Sequence, residues 1–399
     1  MFDQSEIIVG LEIGTAKVCA VVGEQDGEGN LNIVGLGTAP SAGAVRKGEI
    51  INTQLAEDAL REALGSAEED ANIEIGSDYL GVTGAHITSF NHRGMHPIAS
   101  VDREIDEEDV EKVALNAQPQ LPPDQEALHT IRQDYRVDGL DGMESPLGRL
   151  ASRLEVDVHV VCGQTTRIQN PIRVVKGLGI EVADVAFTGR AGALAAVPPE
   201  LGGKGVILID LGAGTTEYAA LINSSHHHSG VLGVGGEHVT NDISVGLKLS
   251  QGRAEKLKVE HGSAVIDPRA AGRTVNFSSG VGLDDKSTSV GQLHQVMNAR
   301  LDELFRLIRD DLGSSGLLGR IHGGVLLTGG GARTPHIDLL ARQVFDMDAI
   351  AGHDLSENGP KNIVNQPEYS TAIGLVKYGA QRAAQRRKER GGLFGWLVG

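Results

Sequence analysis

The sequence predicts a two-domain α/β fold built on an internal duplication, with a small α+β module inserted in its first half. Three observations carry this reading. An apolar strand, a Gly-Thr turn and a second apolar strand run from Ile7 to Val22 ("IIVGLEIGTAKVCAVV"). The same order returns from Gly205 to Ile222 ("GVILIDLGAGTTEYAALI"), and in both copies the first strand ends in an acid followed by x-Gly and then threonine. Repetition at that scale is a fold-level signal. Between the copies, from His86 to Asp157, the texture changes: Asp106 to Gln118 reads as an acidic helix, Pro119, Pro122 and Pro123 break it, and His129 to Val137 alternates.

The remaining elements follow in order. Leu31 to Thr38 is a third strand. Thr53 to Leu64 has helical spacing, with Leu55, Ala59, Leu60 and Leu64 on one face and acids on the other. Tyr79 to Thr83 is a short strand, Val156 to Val161 brings the chain back from the insertion, and Thr165 to Lys176 is an amphipathic helix. Asp184 to Ala196 is expected to connect the domains. In the second half, helices are predicted at Glu237 to Leu249, Gln292 to Leu312 and Thr334 to Phe345. A strand at Gly324 to Leu327 runs into "TGGGAR". Ser370 to Arg390 is the last helix, followed by Gly391-Gly392 and a short apolar tip.

Composition sets outer limits. The 399 residues suffice for several packed subdomains, and 40% hydrophobic with 22% charged residues is ordinary for a globular chain. Fifty-four glycines beside 3% aromatics suit an α/β protein with many tight turns. No apolar run approaches the roughly 20 residues that span a bilayer. Met1 to Glu6 has two acids and no basic region, so it does not read as a secretory signal. Cys19 and Cys162 fall in apolar strand-like segments and are expected to be buried thiols of a reducing cytoplasm. A net charge of −17 argues against nucleic acid as the main partner. From Lys377 onward, however, six bases face one acid.

The two hairpins are the chemical signal. Glycine lets the backbone approach an anion, and turn N–H groups with threonine hydroxyls can cradle phosphate. An acid at the strand end can hold Mg²⁺ through water. The candidates are Glu12, Gly14, Thr15 and Lys17 in the first hairpin, and Asp210, Gly212, Gly214, Thr215 and Thr216 in the second, with Glu12 and Asp210 as the metal-side acids. Either hairpin alone is equally a structural turn; two facing each other would clamp a nucleoside triphosphate. "LLTGGGAR" adds Gly329, Gly330, Gly331 and Arg333, where a strand delivers three glycines to a helix N-terminus and suits close packing on a base and ribose. Gly235-Gly236 precede another helix whose N–H groups could meet phosphate. Glu255 and Lys258, spaced i to i+3, either hold ribose hydroxyls or form a solvated ion pair.

Other features carry plainer readings. His226 to His228, flanked by serines, are expected at a solvated hairpin tip, and the acids from Asp102 to Glu111 at the solvated start of a helix. The tail pairs Arg386, Arg387, Lys388 and Arg390 with Leu393, Phe394, Trp396 and Leu397, the composition of an interfacial membrane helix. The alternative is a terminus docked on the protein's own body. One short tip would bind weakly, several copies together firmly.

The order of these elements resembles the actin, heat-shock chaperone and sugar-kinase superfamily. More narrowly, "GKGVILIDLGAGTTEY", "HSGVLGVGGEHVTNDISVGL" and "YSTAIGLVKY" resemble the FtsA family of bacterial division proteins, over nearly the whole chain including the insertion after Gly84. The resemblance implies a two-domain actin-like ATPase fold, a duplicated ribonuclease H-like core with an inserted small α+β subdomain. Its parts would be a first-domain core at 1–84 and 164–200, the insertion at 85–163, a second domain with the adenosine pocket at 201–369, and a closing helix with basic stretch and tail at 370–399. It further implies ATP and Mg²⁺ binding between the domains, self-association into filaments, and contact with other division proteins. The C-terminal peptide of FtsZ would dock on the second domain, with Arg300 and Glu303 as candidate contacts unless they are only a surface ion pair. The place implied is the cytoplasmic face of the inner membrane at the septum, reached through the C-terminal helix. Glu12 stands where the family usually has aspartate. Asp184 to Ala196 offers Thr188 and Arg190 but no acid or glutamine to activate water, so ATP is expected as a structural ligand with weak or no hydrolysis and no catalytic residue is assigned. A small-molecule kinase and a pilus-assembly adaptor of the same superfamily are the alternatives.

Overall fold

The first hairpin folds as β1 (Glu6–Ile13) and β2 (Lys17–Gln25), and β3 (Leu31–Pro40) extends it antiparallel. In this computed structural model, residues 5–98, 103–270, 272–277, 286–352 and 358–391 are described. A two-residue hairpin, β4 (Val45–Arg46) with β5 (Glu49–Ile50), leads into α1 (Thr53–Ala71) and then β6 (Ser77–Val82). The inserted segment forms β7 (Thr88–Pro97), α2 (Glu107–Asn116), β8 (Gln125–Val137), β9 (Leu140–Met143) and β10 (Arg153–Gln164). The chain returns through α3 (Thr165–Gly177), β11 (Glu181–Phe187), α4 (Thr188–Ala196) and α5 (Pro199–Gly202).

The second half repeats the plan. β12 (Val206–Leu211), β13 (Thr216–Ile222) and β14 (Ser225–Leu232) form the meander, followed by α6 (Gly236–Leu247), α7 (Gln251–His261), the small hairpin β15 (Thr274–Phe277) and β16 (Lys286–Ser289), and α8 (Val290–Ser314). Then come β17 (Val325–Thr328), α9 (Ile337–Phe345), β18 (Ala349–Ala351), α10 (Lys361–Val364) and α11 (Ser370–Gly391). The two main sheets run β11-β6-β1-β2-β3 and β14-β13-β12-β17-β18. In each, the meander pairs antiparallel, while the next two strands add in parallel beside β1 or β12. Identical topology in two sheets is the structural form of the duplication.

α4 and α11 lie between the sheets. Their small and apolar residues (Ala191, Ala195, Ala372, Leu375, Val376) share one core with Ile8 and Val21 of the first sheet and Leu208 and Leu326 of the second. Gly374 sets how close the two helices come, because a Cβ there would run into the carbonyl oxygen of Ala191. Helix α1 covers the outer face of the first sheet. Asn52 caps it by accepting from Leu55 N–H at 3.2 Å. Gly35 and Gly37 on β3 let its alanines lie against the strand. Leu55, expected on the buried face, is exposed, and Ala56 takes that place. Cys19 and Cys162 are buried free thiols, as the sequence leads one to expect.

The inserted module is a sheet of order β7-β10-β8-β9 with α2 against it. It lies against β14, the edge strand of the second sheet. Ser89 Oγ donates to the Ser229 carbonyl (2.6 Å), Asn91 Nδ2 to that of His227 (3.0 Å) and Gln133 Nε2 to that of His226 (2.9 Å). His159 bridges Asn91 Oδ1 (2.8 Å) and Ser229 Oγ (3.0 Å) and stacks on His226. An edge that would otherwise offer unpaired backbone is covered.

The structure corrects several expectations. His226 to His228 are not at a tip: the turn is Asn223-Ser224, both left-handed, and the histidines sit on β14, with His226 and His227 buried under the module. The acid run is not wholly solvated either. Asp109 is 1% exposed and held by Arg103 (2.6 Å) and His96 (3.1 Å); Asp102 lies outside the described residues. The helix expected from Thr334 begins at Ile337, after a 3₁₀ turn over Gly330–Arg333. No helix among the described residues is long and apolar enough to cross a membrane. Leu393, Phe394, Trp396 and Leu397 lie outside the described residues, as do the side chains of Lys388 and Arg390. Arg386 donates to the Ala183 carbonyl (3.1 Å), and Arg387 pairs with Glu6, so α11 rests these two bases on the first sheet.

Candidate functional site

The equivalent hairpin turns of the two sheets meet tip to tip. In each, glycine is required by a carbonyl across the turn: a Cβ would fall 2.8 Å from the Lys17 oxygen at Gly14 and 2.7 Å from the Thr215 oxygen at Gly212. Ser41 Oγ donates to the Gly14 carbonyl at 2.6 Å and braces the first turn. A Cβ on Gly214 would come 2.9 Å from Thr15 Cγ2 and from Lys47 N, so only glycine lets the turns approach this closely. Among the described residues, no backbone hydrogen bond takes up the turn N–H groups of Thr15, Ala16, Ala213, Gly214 or Thr215. Behind the tips opens a cleft of about 380 Å³.

Nearly all the candidates from the sequence line that cleft: Glu12, Gly14, Thr15 and Lys17 from one side, and Asp210, Gly212, Gly214 and Thr215 from the other. Gly235, Gly236, Glu255, Lys258, Gly329, Gly330, Gly331 and Arg333 complete it. Thr216 does not line it. Strand alternation turns it away, and its hydroxyl donates to the Val234 carbonyl at 2.8 Å. Gly235 and Gly236 play a different part from the one expected. The N–H groups of Gly236 and Glu237 donate to the carbonyls of Gly212 and Ala213 (2.9 Å each), so these amides fasten α6 to the second hairpin.

The glycine triplet divides by role. Gly329 has φ of 79° and its Cβ position abuts Leu211 N, while Gly331 packs on Leu211 Cβ. Gly330 alone faces open space. Val239, Val259, Met297, Leu301 and Leu304 give the same cleft an apolar lining. Glu255 and Lys258 do pair with each other (2.7 Å), and Lys258 also donates to the Gly236 carbonyl (3.2 Å) and Thr240 (2.9 Å). Arg333 pairs with Glu368 (2.8 Å), and Lys17 donates to the Glu368 carbonyl (2.9 Å).

Three carboxyls come together at the cleft: Asp210 and Glu217 are buried, and Glu12 is half-buried with its Oε2 covered. Glu217 was missed from the sequence, although it stands opposite Asp210 in the hairpin register. Thr215 donates to it at 2.9 Å, and Thr83, from β6's end, bonds it across the cleft. Burial pushes Glu12 up to about 7, opposed by Lys17 and reinforced by Asp210. Burial, then Asp210's charge, pushes Glu217 up to about 8, against the pull of the two threonines. Asp210 is also raised by burial, against the hydrogen bond from Thr371 at 2.8 Å. Glu12 Oε2 and Thr188 Oγ1 are buried with no partner. Buried polar atoms without partners at a cleft call for a ligand or water. Among the described residues no three His, Cys, Asp or Glu converge to hold a metal directly.

Arg300 and Glu303 stand apart from the cleft, where Arg300 bonds Asp242 of α6 twice (2.6 and 3.1 Å) and Glu303 once (2.6 Å).

Comparison with known proteins agrees with this architecture. Residues 207–374 match the family described as "Cell division protein FtsA", and residues 84–162 the "SHS2 domain inserted in FTSA". The chain is 36% identical to the cell division protein FtsA of Pseudomonas aeruginosa, over 94% of this chain and 90% of that one. It is 31% identical to that of Escherichia coli, over 94% and 91%. The chain belongs to the FtsA family of cell division proteins. Among solved structures it resembles the PilM-PilN type IV pilus biogenesis complex (17% identity, TM-score 0.64, covering 94% of this chain and 98% of that one). It also resembles MreB5 of Spiroplasma citri bound to ADP (16%, TM-score 0.57, covering 96% and 98%). The fold is the two-domain actin-like one, with the α+β insertion characteristic of FtsA.

The carboxyl cluster has a pH signature. Glu12 and Glu217 keep protons in the fold at pH values where the unfolded chain has lost them, near 4.5. Their contribution is therefore complete below about 4.5 and is lost as pH rises through about 7 to 8. Thermal melts of the ligand-free chain from pH 5 to 9 should show a declining midpoint, with the decline reduced in Glu217→Gln. An identical pH slope in that variant would remove Glu217 from the cluster.

Proposed function

We propose that this FtsA-family chain binds ATP with Mg²⁺ in the cleft and anchors FtsZ filaments to the cytoplasmic membrane during division. The observation that carries the nucleotide part is the meeting of the two hairpin turns, with five turn amides unengaged, at a cleft also lined by Val239, Met297 and Leu301. Amides at the hairpins suit phosphates, and the open space at Gly330 with the cleft's apolar lining suits a flat base. The ADP-bound MreB5 named above is a neighbour of the same fold.

Mg²⁺ fits the donor set through water. Two or three carboxylates with no direct cage, and an orphaned Glu12 oxygen, match an ion that keeps its waters and takes the rest of its shell from phosphates. When bound, the ion would neutralise phosphate charge. Glu12, Asp210 and Glu217 would hold its water shell. Glu217 is a further acid in the cleft, and burial favours its protonated form in the ligand-free chain; slow or negligible hydrolysis is the expectation. ATP then acts mainly as a ligand favouring self-association.

The membrane and partner parts rest on sequence and family. The tail from Lys388 to Leu397 is the anchor, and Arg300 with Glu303 is the candidate contact for the FtsZ C-terminal peptide. The same reading divides the chain into a first domain at 1–84 and 164–200, the insertion at 85–163, and a second domain at 201–369.

Because Gly330 has open space and an ordinary backbone, Gly330→Val should leave the fold intact and fill the base slot. Calorimetry should show ATP affinity reduced at least about tenfold, a loss of roughly 1.4 kcal/mol. Unaltered affinity would place the base elsewhere. Truncation after Arg390 should release the chain from anionic vesicles at any salt, since the apolar term is not screened. Flotation of the truncated chain with such vesicles would refute the tail as anchor.

A further inference from the structure

The β4–β5 hairpin carries none of the residues singled out from the sequence, yet it stands where the two turns meet. Gly48 lines the cleft, and its N–H donates to Thr15 Oγ1 at 3.2 Å. On the other side, Lys47 N lies 2.9 Å from the position a Cβ on Gly214 would take. The hairpin tip therefore touches both turns, one from each sheet. Lys47 and Gly48 are its two loop residues, with φ of 51° and 77°. Such a turn favours Asn-Gly or Gly-Gly, and here a lysine is held in the left-handed region.

We propose that this hairpin is a clasp for the terminal phosphate of a bound nucleoside triphosphate, with the Lys47 ammonium and backbone N–H as its donors. The inference rests on the nucleotide reading above and goes beyond it by naming what senses the length of the phosphate chain. If the base lies against Gly330 and the apolar lining, the phosphates run toward the hairpin tips, and the last one reaches Lys47. The three cations that line the cleft are already engaged, Lys17 by the Glu368 carbonyl, Lys258 by Glu255 and Arg333 by Glu368, whereas Lys47 stands next to the lining residue Gly48. The first amides of α6 are committed to the second hairpin. Among the described residues, Lys47 has neither an ion-pair partner nor a hydrogen bond on its N–H or ammonium. Its side chain rests on Gly233, where a Cβ would meet Cδ at 3.5 Å and Nζ at 3.7 Å. His238 on α6 is held below its ordinary value by burial and then by Lys47, which places that charge beside the second domain.

The test compares ATP with ADP, each with Mg²⁺, by calorimetry on the full chain. Lys47→Gln keeps an L side chain of similar reach without the charge; Lys47→Arg restores the charge. The expected result is a loss of about tenfold in ATP affinity for the glutamine variant, as for a lost charge-assisted hydrogen bond, with ADP affinity within about twofold and most of the loss recovered by arginine. Equal losses for both nucleotides, or none for ATP, would overturn the clasp while leaving the nucleotide site standing. A wild-type chain that binds neither nucleotide would overturn both.

Discussion

Everything at the cleft depends on how closely α11 can lie on α4. At Gly374 the crossing leaves no room for a side chain, because the Ala191 carbonyl occupies the space. Overpacking such a contact costs about 1–3 kcal/mol or more, but the larger consequence is geometric. Both sheets pack on this helix pair, so the crossing distance fixes the distance between the hairpin turns. Thr371, one turn before Gly374, reaches Asp210 at 2.8 Å, and Ser370 bonds Thr328 at 2.7 Å. The same helix thus sets the spacing and ties its own start to the second sheet.

That closeness creates an electrostatic conflict. Glu12 comes from one sheet and Asp210 and Glu217 from the other, and desolvation at the cleft disfavours their ionised forms. Protonation relieves the conflict in the ligand-free chain; a cation-bearing ligand would relieve it otherwise. The Thr83–Glu217 bond joins the sheets at this point. The inserted module adds a second tie, since its chain leaves from β6 but its side chains bond the edge of β14. A change in the angle between the sheets must therefore be felt at the module as well as in the cleft.

Much of this was legible because duplication writes the same physical requirement twice. Glu12-x-Gly14 and Asp210-x-Gly212 are visible as strings, and each glycine answers the same turn carbonyl. The failures share a cause: they depend on which partner the fold brings to a group. Glu217 reads as an ordinary strand residue until the hairpin register sets it opposite Asp210, and that same register turns Thr216 away. Gly235-Gly236 looked like free amides, but His238 takes the Gly235 N–H and the second hairpin that of Gly236. The histidines of β14 looked like a tip because module residues that bond this strand, among them His159 and Asn91, lie 70 and 136 positions away in sequence. Lys47 gave no local signal, being one cation in a short polar turn. Gly329, Gly330 and Gly331 were found together, but only packing separates the two that the fold needs from the one left open.

The central claim is that both hairpin turns hold one ligand at once, and hydrogen exchange at their amides tests it most directly. In the full chain with ATP and Mg²⁺, Thr15 and Ala16 of the first turn and Ala213 to Thr215 of the second, unengaged without ligand, should gain protection together and with the same concentration dependence. Protection of one turn without the other, or of neither at saturating nucleotide, would contradict the account.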